Sequence, residues 1–385
     1  MSKKYIINND YNNATGQLDV PSRFLFGPGP SNAHPRVLQQ LGMRQVGHLD
    51  PAFLKIMQES QELLRYAWQT KNRMTIPVSG TGSAAMEACF ANLIEPGDRV
   101  LVAVNGYFGL RMIDMAQRYG AEIVQVNKAW GDVFTINELE KAVQEFKPKM
   151  LAVVHAETST GACQPIDGLG KICRDADCLL VVDTVTSLGG VPLFIDDWEI
   201  DAAYSGSQKC LSCPPGIAPL TFGDRALEKL MNRKNTVANW YLDLTMVGKY
   251  WGSERTYHHT APINMNYALR EALRLVVEEG LAERWERHQK NANTFWDGLE
   301  AMGLKCHVPA SHRLPSLTTV CVPEGVDAKA VQTHLLHTCN IEIAGGLGEL
   351  AGKVWRIGLM GYNSREENVL LLLTALEKAL SNSQS

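Results

Sequence analysis

Short apolar runs alternate with segments of helical periodicity from about residue 24 to residue 225. The runs lie at 100–104, 123–126, 150–154, 179–182 and 217–222, and helical segments between them include 84–93 and 137–146. Alternation at this spacing predicts a mainly parallel β-sheet that is covered by helices. We therefore expect an α/β fold in this part of the chain.

The pattern changes after residue 267, where apolar residues recur at helical spacing in two long segments separated by Gly280. The first carries Leu269, Leu273, Val276 and Val277, and the second carries Leu281, Trp285, Phe295 and Leu299. Each set lies on one face of a helix, so the pattern predicts two long helices.

The remaining sequence indicates a smaller α+β domain, with strands near 317–322 and 354–357 and helices near 328–338 and 365–380. The first ~20 residues are rich in asparagine and show no periodicity, which is typical of a terminal arm. We predict an arm over 1–23, a large domain over 24–279 and a small C-terminal domain over 280–385.

Composition excludes some functions. The chain has 385 residues, with 37 basic and 41 acidic side chains and a net charge of −4, so it lacks the basic surface typical of nucleic-acid binding. The first ten residues lack the apolar core of a signal peptide, and no apolar run approaches the ~20 residues of a membrane span. These features favour a soluble cytoplasmic enzyme.

Cysteine and histidine residues give little indication of a metal site. The nine cysteines are scattered and odd in number, so we expect them to be reduced. Cys210 and Cys213 form a CxxC pair without a well-placed partner segment, and zinc usually needs four ligands. For His258 and His259 we expect a structural role, with side chains that point apart in a strand. We predict no metal.

Two residues of opposite charge, Asp183 and Lys209, each close a strand-like apolar run. Ligands bind outside the carboxyl ends of strands in open α/β sheets, so both residues would face one crevice. Pyridoxal phosphate needs this combination: an amine that attaches to its aldehyde, and an acid that keeps its pyridine nitrogen protonated. For either residue alone, a solvated strand end or a salt bridge is the alternative.

A possible phosphate site precedes the helical segment that begins near residue 84. It consists of Ser79, Gly80, Thr81, Gly82 and Ser83. Small residues let backbone N–H groups approach an anion, and a helix N-terminus supplies partial positive charge. A glycine-rich turn with an N-cap is the alternative for this motif alone.

Several motifs occur in the order found in the class V aminotransferases. They are Phe26-Gly-Pro-Gly-Pro-Ser31, Ser79-Gly-Thr-Gly-Ser83, Asn105-Gly-Tyr-Phe-Gly109, Glu157-Thr-Ser-Thr-Gly161, Ser205-Gly-Ser-Gln-Lys209, Tyr257-His-His-Thr-Ala-Pro262 and Val354-Trp-Arg-Ile-Gly358. The chain resembles this family from about residue 24 to residue 375. The resemblance implies a fold type I pyridoxal phosphate transferase with a mainly parallel seven-stranded sheet and a smaller C-terminal α+β domain.

The resemblance also implies roles for cofactor-binding residues. Lys209 matches the lysine that carries the cofactor, and Gln208 and the 79–83 segment match residues near its phosphate. Phe108 matches an aromatic residue, often tryptophan, that stacks on the cofactor, and Thr158 matches a hydroxyl near the ring oxygen. Ser83 stands where many relatives have histidine, so its role is open.

Further residues are implied for the substrate and for a second subunit. Arg356 would hold a carboxylate, since a guanidinium can donate two parallel hydrogen bonds; a structural ion pair is the alternative. Gly29 is expected beside the substrate. Tyr257 and Thr260 match a pair that reaches the phosphate of the neighbouring subunit, which implies a homodimer with shared active sites.

Within the class, the chain is most similar to the alanine:glyoxylate and serine:pyruvate or serine:glyoxylate aminotransferases. We expect transfer of the amino group of L-alanine to glyoxylate, with serine as the alternative donor. A cysteine desulfurase usually has histidine before the lysine, whereas this chain has Gln208. A non-catalytic cofactor-binding regulator would be expected to lose Lys209 or Arg356, and both are present.

Overall fold

The computed structural model describes residues 6, 8 and 16–383. The strands are β1 (Phe24–Leu25), β2 (Met74–Ser79), β3 (Arg99–Val104), β4 (Glu122–Asn127), β5 (Met150–Val154), β6 (Ala156–Glu157), β7 (Ala162–Cys163), β8 (Leu179–Asp183), β9 (Ala202–Tyr204), β10 (Ile217–Phe222), β11 (Leu317–Cys321), β12 (Ile341–Glu342), β13 (Ala344–Gly345) and β14 (Val354–Gly358). The helices are α1 (Pro35–Leu41), α2 (Pro51–Trp68), α3 (Gly82–Leu93), α4 (Tyr107–Arg118), α5 (Ile136–Phe146), α6 (Leu169–Asp175), α7 (Asp224–Met231), α8 (Leu244–Trp251), α9 (Ile263–Glu279), α10 (Leu281–Ala301), α11 (Ala328–Thr338) and α12 (Glu366–Ser383).

A seven-stranded sheet forms the centre of the molecule, with strand order β2-β10-β9-β8-β5-β3-β4. Only β10 runs antiparallel to its neighbours. The predicted α/β fold with a mainly parallel seven-stranded sheet is confirmed. Because six strands run the same way, the carboxyl ends of β2, β3, β5, β8 and β9 lie along one edge.

Side chains along β8 point alternately to the two faces of the sheet, and each face packs against a layer of helices. Val181 packs in one apolar cluster with residues of α3, while Leu180 and Val182 pack in another with residues of α5 and α6. Successive side chains of a strand point to opposite faces, so a strand that is buried on both faces reads as a continuous apolar run. Each fully buried aliphatic side chain contributes about 1.5–3 kcal/mol.

The C-terminal part has its own three-stranded sheet, in the order β11-β14-β13, which packs with helices α10, α11 and α12. The predicted helices on either side of Gly280 are α9 and α10. Strand β1 does not join the central sheet but pairs in parallel with β12, and the adjacent Phe26 is buried among the C-terminal apolar residues. The N-terminal strand therefore packs with the C-terminal part.

Most of the predicted 1–23 arm lies outside the described residues; within it, 16–22 are exposed and form no helix or strand. In the described part of the chain, no helix is long and apolar enough to cross a membrane. Nor do the described residues contain a group of three or more His, Cys, Asp or Glu side chains that could hold a metal ion. The nine cysteines are all free.

Candidate active site

A cavity of about 170 Å³ opens at the edge where the parallel strands end. Eight of the residues predicted from the sequence line it: Thr81, Gly82, Ser83, Phe108, Thr158, Asp183, Gln208 and Lys209. They come from separate parts of the chain, and the shared direction of the strands brings them together.

Asp183 is the last residue of β8 and is almost fully buried. Its Oδ1 atom accepts a hydrogen bond of 2.8 Å from the Val185 N–H. Burial raises the pKa of Asp183 to about 7, and this N–H offsets part of the effect. The Tyr204 hydroxyl, on the adjacent strand, makes no hydrogen bond of standard geometry but lies near enough to lower the same pKa. The carboxyl thus has one fixed donor and sits in an environment that disfavours its charge.

The sequence pattern predicted that Lys209 ends a strand, and this prediction is wrong. Strand β9 ends at Tyr204, and the backbone then turns back on itself, with the Ser212 N–H donating to the Lys209 carbonyl and the Cys213 N–H to the Ser207 carbonyl. The predicted crevice is still correct, because this turn leaves Lys209 on the wall of the cavity with Asp183.

The Lys209 amine is buried beneath the segment that contains Gly29. Its Nζ atom donates a hydrogen bond to the Pro28 carbonyl. Burial lowers the pKa of Lys209 to about 8, with the Arg356 charge acting in the same direction and Asp183 opposing it. Gly29 has a φ of +113°, and a Cβ atom there would lie 2.6 Å from Nζ. Only glycine lets this backbone lie against the lysine.

The segment predicted to bind phosphate is divided by the structure. Thr81 is the N-cap residue of α3 and its side chain makes no capping hydrogen bond, while Gly82 and Ser83 form the first turn. Ser79 and Gly80 do not line the cavity. The Ser79 hydroxyl is hydrogen-bonded to His259 Nε2 at 2.7 Å, and the Gly80 N–H donates to the Gly216 carbonyl.

Phe108 lies in the first turn of α4, which a buried glutamate holds in place. The Glu157 carboxylate accepts hydrogen bonds from the Phe108 N–H at 3.2 Å and from the Ser159 N–H and hydroxyl at 2.9 and 2.6 Å. Burial raises the pKa of Glu157, and the hydrogen bonds from Ser159 oppose this. A carboxylate at a helix N-terminus is favourable because the exposed N–H groups carry partial positive charge.

Arg111 brings a second cation to the cavity. It lies one helical turn after Phe108, and its guanidinium sits 4.8 Å from the centre of the Phe108 ring. Its Nη1 atom also donates to the Ser83 hydroxyl at 3.2 Å. A cation over an aromatic face contributes about 0.5–2 kcal/mol, so Arg111 stabilises this position of the ring.

Arg356 lies on β14 and is buried without an ion pair to any carboxylate in the described residues. Its Nε atom donates to the Gly345 carbonyl at 2.8 Å, and Nη1 donates to the Thr158 carbonyl at 3.4 Å. Burial lowers the pKa of Arg356 to about 10, while Glu157 opposes the shift. The residue borders the cavity through Thr158 without lining it.

The other polar side chains differ in how far their hydrogen bonds are satisfied. The Thr158 hydroxyl is paired with that of Thr186 at 2.8 Å. Gln208 Oε1 is buried and has no partner in the described residues. An amide oxygen accepts hydrogen bonds, so a ligand that donates at Gln208 Oε1 would satisfy it.

Tyr257 and Thr260 do not reach this cavity. Both side chains are exposed, Tyr257 to 58%. Between them, His258 and His259 lie in a loop rather than a strand, and their Nδ1 atoms are 2.8 Å apart in a hydrogen bond. The expectation that these two side chains point apart is therefore wrong, because it assumed the alternation of a strand.

Three residues of the site were not identified from the sequence: Arg111, Glu157 and Tyr204. Arg111 had a usable signal, since residues three apart share a helix face and Phe108 was already a candidate. Glu157 begins a motif that was recognised without a role for its carboxylate. Tyr204 reads as an ordinary apolar strand residue, and only the pairing of β8 with β9 sets it beside Asp183.

A larger cavity, of about 370 Å³, is lined by His34, Tyr362 and several charged residues but by neither Lys209 nor Asp183. Its charges are satisfied internally: Arg284 and Arg287 both bind Glu279 at 2.6 and 2.5 Å. Asp183 and Lys209, whose pKa values are shifted by burial, line the smaller cavity, which we take as the active site.

Comparison with known proteins agrees with this geometry. The family model "Aminotransferase class-V" matches residues 23–371. The chain is 44% identical to an alanine–glyoxylate aminotransferase of Mus musculus over 95% of this chain and 89% of the mouse protein. It is 42% identical to an (S)-ureidoglycine–glyoxylate transaminase of Bacillus subtilis, over 94% and 92%. The crystal structure of an alanine–glyoxylate aminotransferase from Nostoc sp. has a TM-score of 0.97 and 61% identity, covering 98% of this chain and 100% of that one. The protein belongs to the class V aminotransferases.

Proposed function

We propose that this aminotransferase moves the amino group of L-alanine to glyoxylate, giving pyruvate and glycine. The observation that carries the proposal is Arg356, a buried guanidinium close to the catalytic cavity that has no carboxylate partner among the described residues. A buried cation is costly unless it is paired, and each of these substrates brings a carboxylate. The similarity to proteins named alanine–glyoxylate aminotransferase supports the choice among such acids.

The cavity fits pyridoxal phosphate. Thr81, Gly82 and Ser83 would hold its phosphate at the N-terminus of α3, and Gln208 lines the same cavity. Phe108 would cover one face of its ring. When bound, the cofactor supplies an electron-withdrawing ring that stabilises negative charge at the substrate Cα.

Asp183 holds the proton of the pyridine nitrogen in this proposal. A positive charge beside a carboxylate lowers its pKa, so a protonated ring would reverse the upward shift that burial causes at Asp183. The fixed Val185 N–H keeps one oxygen in place and leaves the other free to face the ring.

Lys209 has two tasks: covalent attachment of the cofactor, and transfer of the proton from the substrate Cα. Both need an uncharged amine, and burial lowers its pKa to about 8, close to physiological pH. The hydrogen bond to the Pro28 carbonyl orients Nζ. The same lysine can therefore act first as nucleophile and then as base.

We also propose that the protein is a homodimer whose active sites contain residues of both subunits. Tyr257 and Thr260 are exposed and away from their own cavity, as expected for side chains that complete a neighbour's site. Trp240 and Tyr241 are also exposed, and both pack against His258 in the same loop. Adjacent exposed aromatic side chains of this kind support a protein interface at this loop.

A substrate comparison tests the proposed activity. The measurement is kcat/KM for L-alanine, L-serine and (S)-ureidoglycine with glyoxylate, and for glyoxylate and 2-oxoglutarate with the preferred donor. We expect alanine and glyoxylate to lead. A tenfold advantage for serine, ~1.4 kcal/mol in transition-state binding, would contradict the assigned donor, and a better rate with 2-oxoglutarate would contradict the acceptor.

The role of Arg356 is tested in the same assay with Arg356→Lys, which keeps the charge and loses the two-pronged geometry. We expect KM to rise at least tenfold for alanine and for glyoxylate. Arg118→Lys is the matched control, since Arg118 is exposed on α4 and pairs with the exposed Asp114. If the Arg356→Lys enzyme had the same KM as the Arg118→Lys control, Arg356 would not be the residue that binds the substrate carboxylate.

A further inference from the structure

A chain of hydrogen bonds connects strand β2 to the loop that carries Tyr257 and Thr260. Ser79 Oγ lies 2.7 Å from His259 Nε2, and His259 Nδ1 lies 2.8 Å from His258 Nδ1. His258 Nε2 lies 3.3 Å from the Trp240 carbonyl oxygen. The His258 ring also stacks on the Trp240 indole, at 4.6 Å between ring centres. Each of the four ring nitrogens of His258 and His259 therefore has a hydrogen-bond partner.

One end of the chain sets the direction of every hydrogen bond in it. The Trp240 carbonyl can only accept, so His258 Nε2 must carry a hydrogen. A neutral His258 then has a bare Nδ1, which must accept from His259 Nδ1–H. A neutral His259 in turn has a bare Nε2, and the Ser79 hydroxyl must donate to it.

The surroundings of the two rings offer no counter-charge for an additional proton in the described residues. His258 is buried, and neither histidine forms an ion pair with a carboxylate in the described residues. A buried imidazolium without a counter-charge is costly. Burial also lowers the pKa of His259 to about 4, with His258 and His48 acting in the same direction.

We propose that Ser79 is a positioning residue: it donates its hydroxyl hydrogen to His259 and anchors the 257–260 loop, and it does not donate to the cofactor phosphate. Its absence from the cavity lining agrees with this role. The phosphate donors are then Thr81, Gly82 and Ser83, which rests on the proposed function. Ser79 thus joins a subunit's own phosphate segment to the loop proposed to serve its neighbour.

Nuclear magnetic resonance of protein labelled with ¹⁵N at its 10 histidines tests the direction of the chain. Long-range ¹H–¹⁵N spectra distinguish the two neutral tautomers from the imidazolium, and His258→Gln and His259→Gln assign the signals. We expect Nε2–H at His258 and Nδ1–H at His259, at pH 7.5. An Nε2–H tautomer at His259, or an imidazolium at His258, would overturn the proposal. This result does not depend on any enzymatic activity.

Substitutions test whether Ser79 anchors the 257–260 loop or binds the cofactor phosphate. Ser79→Ala should change the His259 signals and increase hydrogen exchange in the 257–260 loop at least threefold, while Ser79→Thr, which keeps the hydroxyl, should restore both. Thr81→Ala should instead weaken pyridoxal phosphate binding, measured by fluorescence titration, and leave the histidine signals unchanged. The proposal fails if Ser79→Ala leaves the His259 signals unchanged and costs as much cofactor affinity as Thr81→Ala.

Discussion

At the scale of single residues, the active site places its acid and its amine where both tend to be uncharged. Burial raises the pKa of Asp183 to about 7 and lowers that of Lys209 to about 8. Each shift reflects the loss of water around a charge that the protein alone compensates only in part. A cofactor with a ring nitrogen and an aldehyde supplies what each group lacks, so binding and ionisation are coupled.

This coupling makes the stability of the cofactor-free protein depend on pH. Asp183 has a folded-state pKa of about 7, against 3.8 in the unfolded chain, so the folded state holds more protons between these values. Its contribution to stability is therefore lost as pH rises through that window. Asp183→Asn removes the effect: its gain in unfolding free energy should grow from pH 4 to pH 7, by at most about 1.4 kcal/mol per unit, and then stay constant.

Denaturant unfolding of the two cofactor-free proteins at several pH values measures this gain. Asp114→Asn is the control, because Asp114 is exposed on α4 and does not line the cavity. In the presence of cofactor, Asp183→Asn should lower kcat by orders of magnitude. A gain that does not change with pH would mean that Asp183 is charged in the folded protein throughout the range.

At the scale of elements, the N-terminus of α4 shows how a buried carboxylate positions an aromatic ring. Glu157 accepts from the Phe108 N–H on one oxygen and from Ser159 on the other. A Cβ atom on Gly106 would lie 2.3 Å from the Glu157 side chain, so the turn before α4 is shaped around this residue. The position of the Phe108 ring thus depends on Glu157.

Glu157→Gln keeps the size of the side chain but replaces one acceptor oxygen by a donor NH₂ group. A buried N–H without an acceptor costs about 1–3 kcal/mol, and the free energy of unfolding should fall by that amount. The dissociation constant of pyridoxal phosphate should also rise about tenfold, because Phe108 would no longer be held over the ring. Denaturant unfolding and fluorescence titration measure the two effects.

Glu145→Gln, on the exposed face of α5, is the matched control and should change the unfolding free energy by less than about 0.5 kcal/mol. If Glu157→Gln bound the cofactor as tightly as this control, Phe108 would not need Glu157 for its position.

The elements were predictable from sequence where one physical rule decides the outcome. Strands β3, β5 and β8 are buried on both faces, so their apolar runs were unambiguous, and the periodicity of α9 and α10 placed both helices beside Gly280. The direction of the parallel strands placed Asp183 at the cavity, whereas Lys209 reaches the same cavity through the turn that follows β9. The contacts of Glu157 and the His258–His259 hydrogen bond join segments through loop geometry, which residue spacing does not encode.

At the scale of the whole molecule, the proposed sharing of sites between subunits can be tested with mixed dimers. A Lys209→Ala subunit lacks the catalytic amine, and a subunit with Tyr257→Ala and Thr260→Ala lacks the side chains offered to its neighbour. In the mixed dimer one site carries both defects and the other carries neither. We expect each homodimer to be nearly inactive and the mixed dimer to recover about half of the parent activity per dimer.

Mixed dimers can be isolated with two different affinity tags and assayed with alanine and glyoxylate. The control pairs the Lys209→Ala subunit with a Met231→Ala subunit, because Met231 is exposed at the end of α7. That mixture should also retain one working site. If verified mixed dimers were as inactive as the two substituted homodimers, Tyr257 and Thr260 would serve their own subunit.

The pairing of β1 with β12 has a consequence for how the protein is made. Leu25 accepts a hydrogen bond from Asn363, 338 positions later, so β1 lacks these partners until β12 and Asn363 have left the ribosome. Until then Phe26 has no apolar cluster to enter, and closing so long a loop is slow. The neighbouring Gly29 is the residue that covers the Lys209 amine. The segment that covers the catalytic lysine is therefore fixed on one side by Ser31, which donates to the Gln208 and Lys209 carbonyls, and on the other side only after β12 has been made.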